Sequence, residues 1–117
     1  MRDIIVMDHF IERDYGATSW LLKQERKERF PDGKYPGLES KESVAERTMR
    51  GLHEVVTQYP GEQIVIVSHG GAINSILSVL SNGEIGSGKT ILRNGSMSFI
   101  TLTGQQWTIE AYNVTAP

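Results

Sequence analysis

Apolar residues along this chain follow two regimes, and the change between them organises the rest of the reading. Up to residue 80 they sit in short runs or at helical spacing, whereas beyond residue 90 they alternate with polar residues in period two. Ile4-Ile5-Val6 predicts a short strand that ends in a polar segment, residues 8–16, a candidate functional loop. Residues 19–30 read as a helix with Trp20, Leu21 and Leu22 at its start and a charged second half, stopped by Pro31. A Pro- and Gly-rich loop follows over 31–40. Ser43 with Glu46 forms a capping-box pattern for a helix reaching about Tyr59, with Val44, Thr48, Leu52, Val55, Val56 and Tyr59 on one face and Pro60-Gly61 as its stop. Ile64-Val65-Ile66-Val67 has no polar alternation and predicts a strand covered on both faces, the habit of parallel sheets. It runs through Ser68 into His69-Gly70-Gly71, where the glycines allow a sharp turn into a helix over 72–80. After a Gly-rich loop over 81–89, strands are expected at 90–92, 97–102 and 107–112, with turn signals at Asn94-Gly95 and Thr103-Gly104. The order βαα, βα, βββ predicts an α/β fold, a three-layer α/β/α arrangement with a mixed sheet.

Composition narrows the functional classes. At 117 residues the chain has room for one domain but is short for such a fold, so residues 1–117 are expected to form a single, incomplete domain. Twelve basic against fourteen acidic residues, with no basic block, argue against nucleic acid and anionic membrane surfaces as partners. No cysteine is present, which excludes disulfides, thiolate metal sites and thiol nucleophiles. No leader pattern or long apolar run occurs, so a cytoplasmic protein is the expectation.

The chemistry centres on two residues that follow strands. Right-handed crossovers would bring Glu12 and His69 to the same carboxyl edge of the sheet, beside the free N–H groups of the helix that starts after Gly70 and Gly71. A carboxyl group, an imidazole and an anion-favouring backbone suit phosphoryl transfer, in which positioning and charge stabilisation dominate. Read alone, a histidine after a strand such as His69 is more often structural than catalytic. A rival motif is Gly83-Glu84-Ile85-Gly86-Ser87-Gly88-Lys89-Thr90, which satisfies the P-loop pattern letter for letter. That mechanism needs a strand before the loop and a helix after it, and the pattern here is reversed, so nucleotide binding ranks below the phosphoryl-transfer reading.

Phe10-Ile11-Glu12-Arg13-Asp14-Tyr15-Gly16, Val65-Ile66-Val67-Ser68-His69-Gly70-Gly71, Asn94-Gly95-Ser96, Trp107, Tyr112-Asn113, and Glu39-Ser40 followed by Arg47 together resemble the histidine phosphatases of the phosphoglycerate-mutase-like superfamily. The resemblance implies phosphomonoester hydrolysis or phosphoryl transfer through a phosphohistidine, without metal or other cofactor. It places Glu12 on the general-acid position and His69 on the second histidine, which binds the transferring phosphoryl group. Arg13, Tyr15, Lys23, Gly70 and Gly71 fall on substrate-contacting positions. The family's nucleophile lies in an Arg-His-Gly motif, and none occurs here, the other histidines being His9 and His53. Ala17-Thr18-Ser19-Trp20 also departs from the family's usual acidic residue and Gly after the aromatic-Gly pair. The chain by itself is therefore expected to bind a phosphorylated small molecule or phosphate and to be inactive unless complemented. An unpaired central strand edge predicts self-association or pairing with an N-terminal segment. The alternative is a phosphate-binding pseudoenzyme or interaction fragment.

Overall fold

The computed structural model describes residues 4–16 and 20–116. A 3-10 turn, Asp8–Phe10, leads into the loop that carries Glu12, and three helices follow: α1 (Lys23–Arg29), α2 (Lys41–Gln58) and α3 (Gly70–Leu80). The chain closes with the hairpin β1 (Met97–Thr103) and β2 (Gln106–Val114). Within the expected 19–30 helix only α1 is helical, and residues 17–19 lie outside the described residues. α1 buries no side chain, while Leu21 just before it is buried and fixes its attachment. Glu25 accepts the backbone N–H of Leu22 at 3.3 Å, satisfying one free group at the start of the helix.

α2 begins three residues earlier than the pattern implied. Its cap is Ser40, whose hydroxyl accepts the N–H of Ser43 at 3.0 Å, and Glu46 pairs with Arg50 along the exposed face. The buried stripe is Val44, Thr48, Gly51, Leu52 and Val55. Thr48 is polar yet fully buried because its hydroxyl donates to the carbonyl of Val44 at 2.8 Å. Gly51 is required by close approach: a Cβ there would come within 2.7 Å of both His9 Cβ and the Phe10 ring. The 3-10 turn can thereby lie directly on α2, and Phe10, Leu52, Val55 and Ile76 form the core between α2 and α3. Truncating Leu52 in such surroundings costs about 3 kcal/mol.

α3 is the sharpest local structure in the chain. It ends in a Schellman motif, in which Asn82 takes φ 55°, its N–H reaches the carbonyl of Val79 at 3.3 Å, and the N–H of Gly83 reaches that of Ser78 at 2.8 Å. Ala72, Ser75, Ile76 and Leu77 are buried, and Ile76 packs with Leu52 and Val55 of α2.

The two segments read as parallel strands differ from expectation. Residues 4–7 and 62–69 lie outside any helix or strand, and no backbone ladder pairs them among the described residues. Ile66 packs on the core and Ser68 donates to the Phe10 carbonyl at 2.6 Å, while Val65 and Val67 are 77% and 88% exposed. The alternation is that of a strand. Among the described residues no neighbour hydrogen-bonds its edges or covers its second face, and Ile4, 94% exposed, shows the same shortage.

β1 and β2 pair antiparallel, with a β-bulge that lets Glu110 intervene between Ile109, opposite Ile100, and Ala111, opposite Phe99. Gly104 alone of the two loop residues has positive φ, 64°, the pattern of a type II′ turn. Ile100 and Trp107 face the core. The strand expected at 90–92 does not form, because side chains have taken its backbone groups. Asn74 donates to the carbonyl of Thr90, and Asn113 donates to that of Ile91 and accepts the N–H of Arg93, at 2.8, 3.1 and 2.8 Å.

Candidate active site

Four N–H groups at the start of a helix have no partner inside it, and at α3 a carboxylate fills two of those places. Glu12 Oε2 accepts the N–H of Gly71 at 3.1 Å, and Oε1 accepts the N–H of Ala72 at 3.0 Å and that of Arg13 at 2.8 Å. Negative charge against the positive end of the helix dipole is a favourable pairing. Gly71 makes the approach possible, since a Cβ at that position would lie 2.5 Å from Glu12 Oε1. His69 is the residue immediately before α3, with extended backbone at φ −123° and ψ 161°, and its carbonyl accepts the N–H of Ile73 at 2.9 Å. Its imidazole is exposed, as is Gly70, whose N–H has no protein partner among the described residues. Glu12 and His69 thus both lie at one end of one helix, although they are 57 positions apart in sequence. The anion expected against the N–H of Gly71 is, in this structure, the protein's own Glu12.

The loop carrying Glu12 has no ladder of its own, and a half-buried ion pair holds it. All five N–H donors of Arg47 are used: Nε and Nη2 on the Glu39 carboxylate at 2.9 and 3.0 Å, Nη1 on the carbonyls of His9 and Ile11 at 2.9 and 2.8 Å, and Nη2 on that of Glu12 at 3.2 Å. Glu39 also accepts the N–H of Asp14 at 3.1 Å and the hydroxyl of Ser43 at 2.8 Å. The Arg47 hydrogen bonds hold the Glu39 carboxyl at about 2, well below its ordinary value, and the same bonds raise Arg47 further into its charged range. The sequence marked Glu39, Ser40 and Arg47 only as part of a resemblance. Their eight-residue spacing has no helical periodicity, since Glu39 precedes the helix that carries Arg47.

Arg13 and Tyr15 lie beside this cluster. Arg13 Nε donates to the Glu39 carbonyl at 2.7 Å, and its guanidinium stands 6.0 Å from the Tyr15 ring centroid. Arg26 stacks closer on that ring, at 4.3 Å. Burial, then the Glu12 charge, pushes the Tyr15 hydroxyl above its ordinary value. Lys23 is exposed at the first position of α1, and no hydrogen bond or ion pair ties it to the cluster among the described residues. His9 packs over Gly51 with Nε2 3.5 Å from Glu54, and His53 is exposed on α2. Neither follows a strand or adjoins a helix start.

The P-loop-like segment has a different geometry. Helix α3 precedes it, no helix follows among the described residues, and its polar groups close on one another: Lys89 Nζ donates to the Gly83 carbonyl at 2.6 Å, the Gly86 N–H to the Thr90 hydroxyl at 2.9 Å, and the Thr90 N–H to the Gly86 carbonyl at 2.8 Å. The strand-loop-helix support of a phosphate cradle is missing.

A loop carboxylate thus rests on the first N–H groups of a core helix that His69 precedes, in a mixed α/β framework. The chain belongs to the histidine phosphatase superfamily, branch 1, whose family model matches residues 2–115. It is 39% identical over 111 residues to the uncharacterized phosphatase PhoE of Bacillus subtilis (strain 168), covering 95% of this chain and 58% of that protein. It is also 26% identical over 123 residues to a metal-independent phosphoserine phosphatase of Arabidopsis thaliana, covering 95% of this chain and 50% of that one. The fold, phosphoglycerate mutase-like, is shared with Bacillus stearothermophilus YhfR at a TM-score of 0.78 and 14% identity, over 90% of this chain and 58% of the other. The chain thus spans about half the length of the curated relatives it matches. No helix among the described residues is long and apolar enough to cross a membrane.

Proposed function

We propose that residues 1–117 carry the proton-donor and phosphoryl-binding side of a histidine phosphatase site that acts on phosphomonoesters through a phosphohistidine. The observation that carries this reading is the Glu12 carboxylate seated on the N–H groups of Gly71 and Ala72, beside His69. In the first step a histidine nitrogen attacks phosphorus, the ester P–O bond breaks, and the Glu12 carboxylic acid gives its proton to the departing alkoxide oxygen. In the second, water attacks the phosphohistidine, the P–N bond breaks, and the Glu12 carboxylate takes the proton of the water. His69 and the N–H of Gly70 stabilise charge on the non-bridging oxygens. The N–H of Gly71 joins them when Glu12 turns toward the leaving group, and Arg13 and Tyr15 contact the substrate, with Lys23 an outer contact. No metal or other cofactor is required. The names of two relatives, a phosphatase and a metal-independent phosphoserine phosphatase, favour hydrolysis over transfer between two positions of a sugar acid.

The nucleophile is not among His9, His53 and His69, none of which stands in an Arg-His-Gly motif, so the chain alone is inactive and active when complemented. Val65 and Val67, exposed on a segment that no backbone ladder pairs among the described residues, supply the place where a strand donor pairs: a second copy of the chain or an Arg-His-Gly-bearing segment. The working state is a single partial domain in the cytoplasm that associates through this edge. Light scattering on a size-exclusion column is expected to show species above monomer mass, and a monomer at high concentration overturns association.

The activity test uses p-nitrophenyl phosphate with the chain alone and with an Arg-His-Gly-bearing segment of the family supplied in trans. Turnover is expected only in the mixture, and only with Glu12 and His69 intact. Hydrolysis by the chain alone overturns the complementation reading, and a mixture that tolerates both Glu12→Gln and His69→Ala overturns the site. Phosphate binding without turnover in the mixture replaces the reading by a phosphate-binding unit with no catalysis.

A further inference from the structure

We propose that Arg47 is a positioning residue for the proton donor, setting through the backbone of the acid loop where the Glu12 carboxylate stands. The inference rests on the reading of Glu12 as the acid and adds the device that aims it. Loop residues 9–14 have neither a β-ladder nor helical hydrogen bonds beyond the short 3-10 turn, so their orientation must be imposed from outside. Three carbonyls of that loop, from His9, Ile11 and Glu12, converge on one guanidinium. Fixing the peptide planes on both sides of Glu12 fixes the direction in which its Cα–Cβ bond leaves the chain.

From the far side, Glu39 completes the clamp. Its carboxylate grips two donors of Arg47 and the N–H of Asp14, its own N–H donates to the Asp14 carbonyl at 2.8 Å, and its carbonyl accepts Arg13 Nε. The side chains of Arg47 and Glu39 are only 18% and 15% exposed, so this is a half-buried pair with every guanidinium donor satisfied rather than an isolated pair on the open surface. Lysine cannot replace it: a single ammonium has three donors in tetrahedral array and cannot span a carboxylate and three carbonyls in one plane. Placement matters here because a proton donor must reach its oxygen to within about 0.5 Å of the productive position. At its resting position the Glu12 carboxylate bridges Gly71 and Ala72, so a loop that slips by one peptide loses both contacts together.

The test is a double-mutant cycle read at the backbone amide resonances of Gly71 and Ala72, in the chain as it stands and without turnover. In the wild type, Glu12→Ala removes the acceptor of both N–H groups and is expected to move both resonances. In an Arg47→Lys background Glu12 no longer reaches them, and the displacement caused by Glu12→Ala is expected to fall at least about threefold. A merely structural arginine lowers stability but leaves that displacement unchanged, and this result overturns the proposal. So does a wild type in which Glu12→Ala leaves both amides unmoved. Should Arg47→Lys fail to fold, Glu39→Gln is read in its place: a displacement reduced at least about twofold supports the clamp, and an undiminished one overturns it. None of these outcomes depends on hydrolysis, so a coupled clamp in an inactive mixture refutes the catalytic reading alone.

Discussion

The two ends of α3 are both rich in glycine and both match a phosphate-binding pattern, yet only one is built to hold an anion. At the N-terminal end, Gly70 and Gly71 leave free helix N–H groups pointing outward, and a carboxylate from 59 residues away takes the N–H of Gly71. At the C-terminal end the groups that would cradle phosphate are turned on each other, Lys89 on Gly83 and Thr90 on Gly86. The difference lies in polarity. A helix start offers donors and the positive end of a dipole, whereas a helix end offers carbonyls, which repel anions and are satisfied by the local N–H groups that a glycine loop supplies. A motif therefore signals chemistry only when the element on its far side has the right direction.

The comparison is broken most forcefully at Gly86. It has φ 98°, and a Cβ there would lie 2.4 Å from the Asn74 carbonyl oxygen and 2.6 Å from the Ser78 nitrogen, so Gly86→Ala forces backbone apart and should cost about 3 kcal/mol or more in chemical denaturation. Gly88→Ala in the same loop, with open space around it, should cost about 1 kcal/mol. Equal losses would show that strain alone, not packing against α3, governs this loop. At the opposite end, Gly71→Ala evicts Glu12 and should cost about 2 kcal/mol, the range for a hydrogen bond to a charged group. An unchanged denaturation midpoint would mean that Glu12 contributes nothing at the helix start.

A smaller effect sharpens the picture from the acid side. The Glu39 carboxyl is depressed to about 2 from an ordinary value of 4.5, so the folded state binds fewer protons than the unfolded one. The contribution of its pairing with Arg47 is fully present above about pH 4.5 and declines as pH falls through 2. Stability measured across that window should therefore fall more steeply in the wild type than in Glu39→Gln, and parallel curves would contradict the lowered value. The smallest effect is expected at Lys89, exposed and bonded only within its own loop. Lys89→Ala should change stability by less than about 0.5 kcal/mol and leave the protein as indifferent to magnesium-ATP as before. Magnesium-dependent ATP binding lost in that variant would revive the nucleotide reading.

Much of the helical framework was legible in local pattern. The stripe from Val44 to Val55 repeats at helical spacing and is the stripe α2 buries, and period-two alternation marked the closing hairpin. Caps were less legible, because Ser40 and Ser43 both stand ahead of apolar residues and only the chain direction on entry selects between them. The extended stretch at 64–68 shows the limit from the other side. β-branched composition describes a residue that suits a strand, but a strand is a relation between two segments, and no partner segment is present among the described residues.

The sequence by itself marked which residues are candidates for the chemistry. A carboxylate after one apolar run, and an imidazole followed by two glycines after another, are recognisable because helix starts and strand ends have local signatures. Only the tertiary structure decided that the carboxylate rests on the backbone of Gly71 and Ala72, and that Arg47 and Glu39 hold the loop that puts it there. Those contacts join residues 8 to 60 positions apart through side chains and loop carbonyls. Such bonds follow from where packed helices bring the loop rather than from any periodicity along the chain.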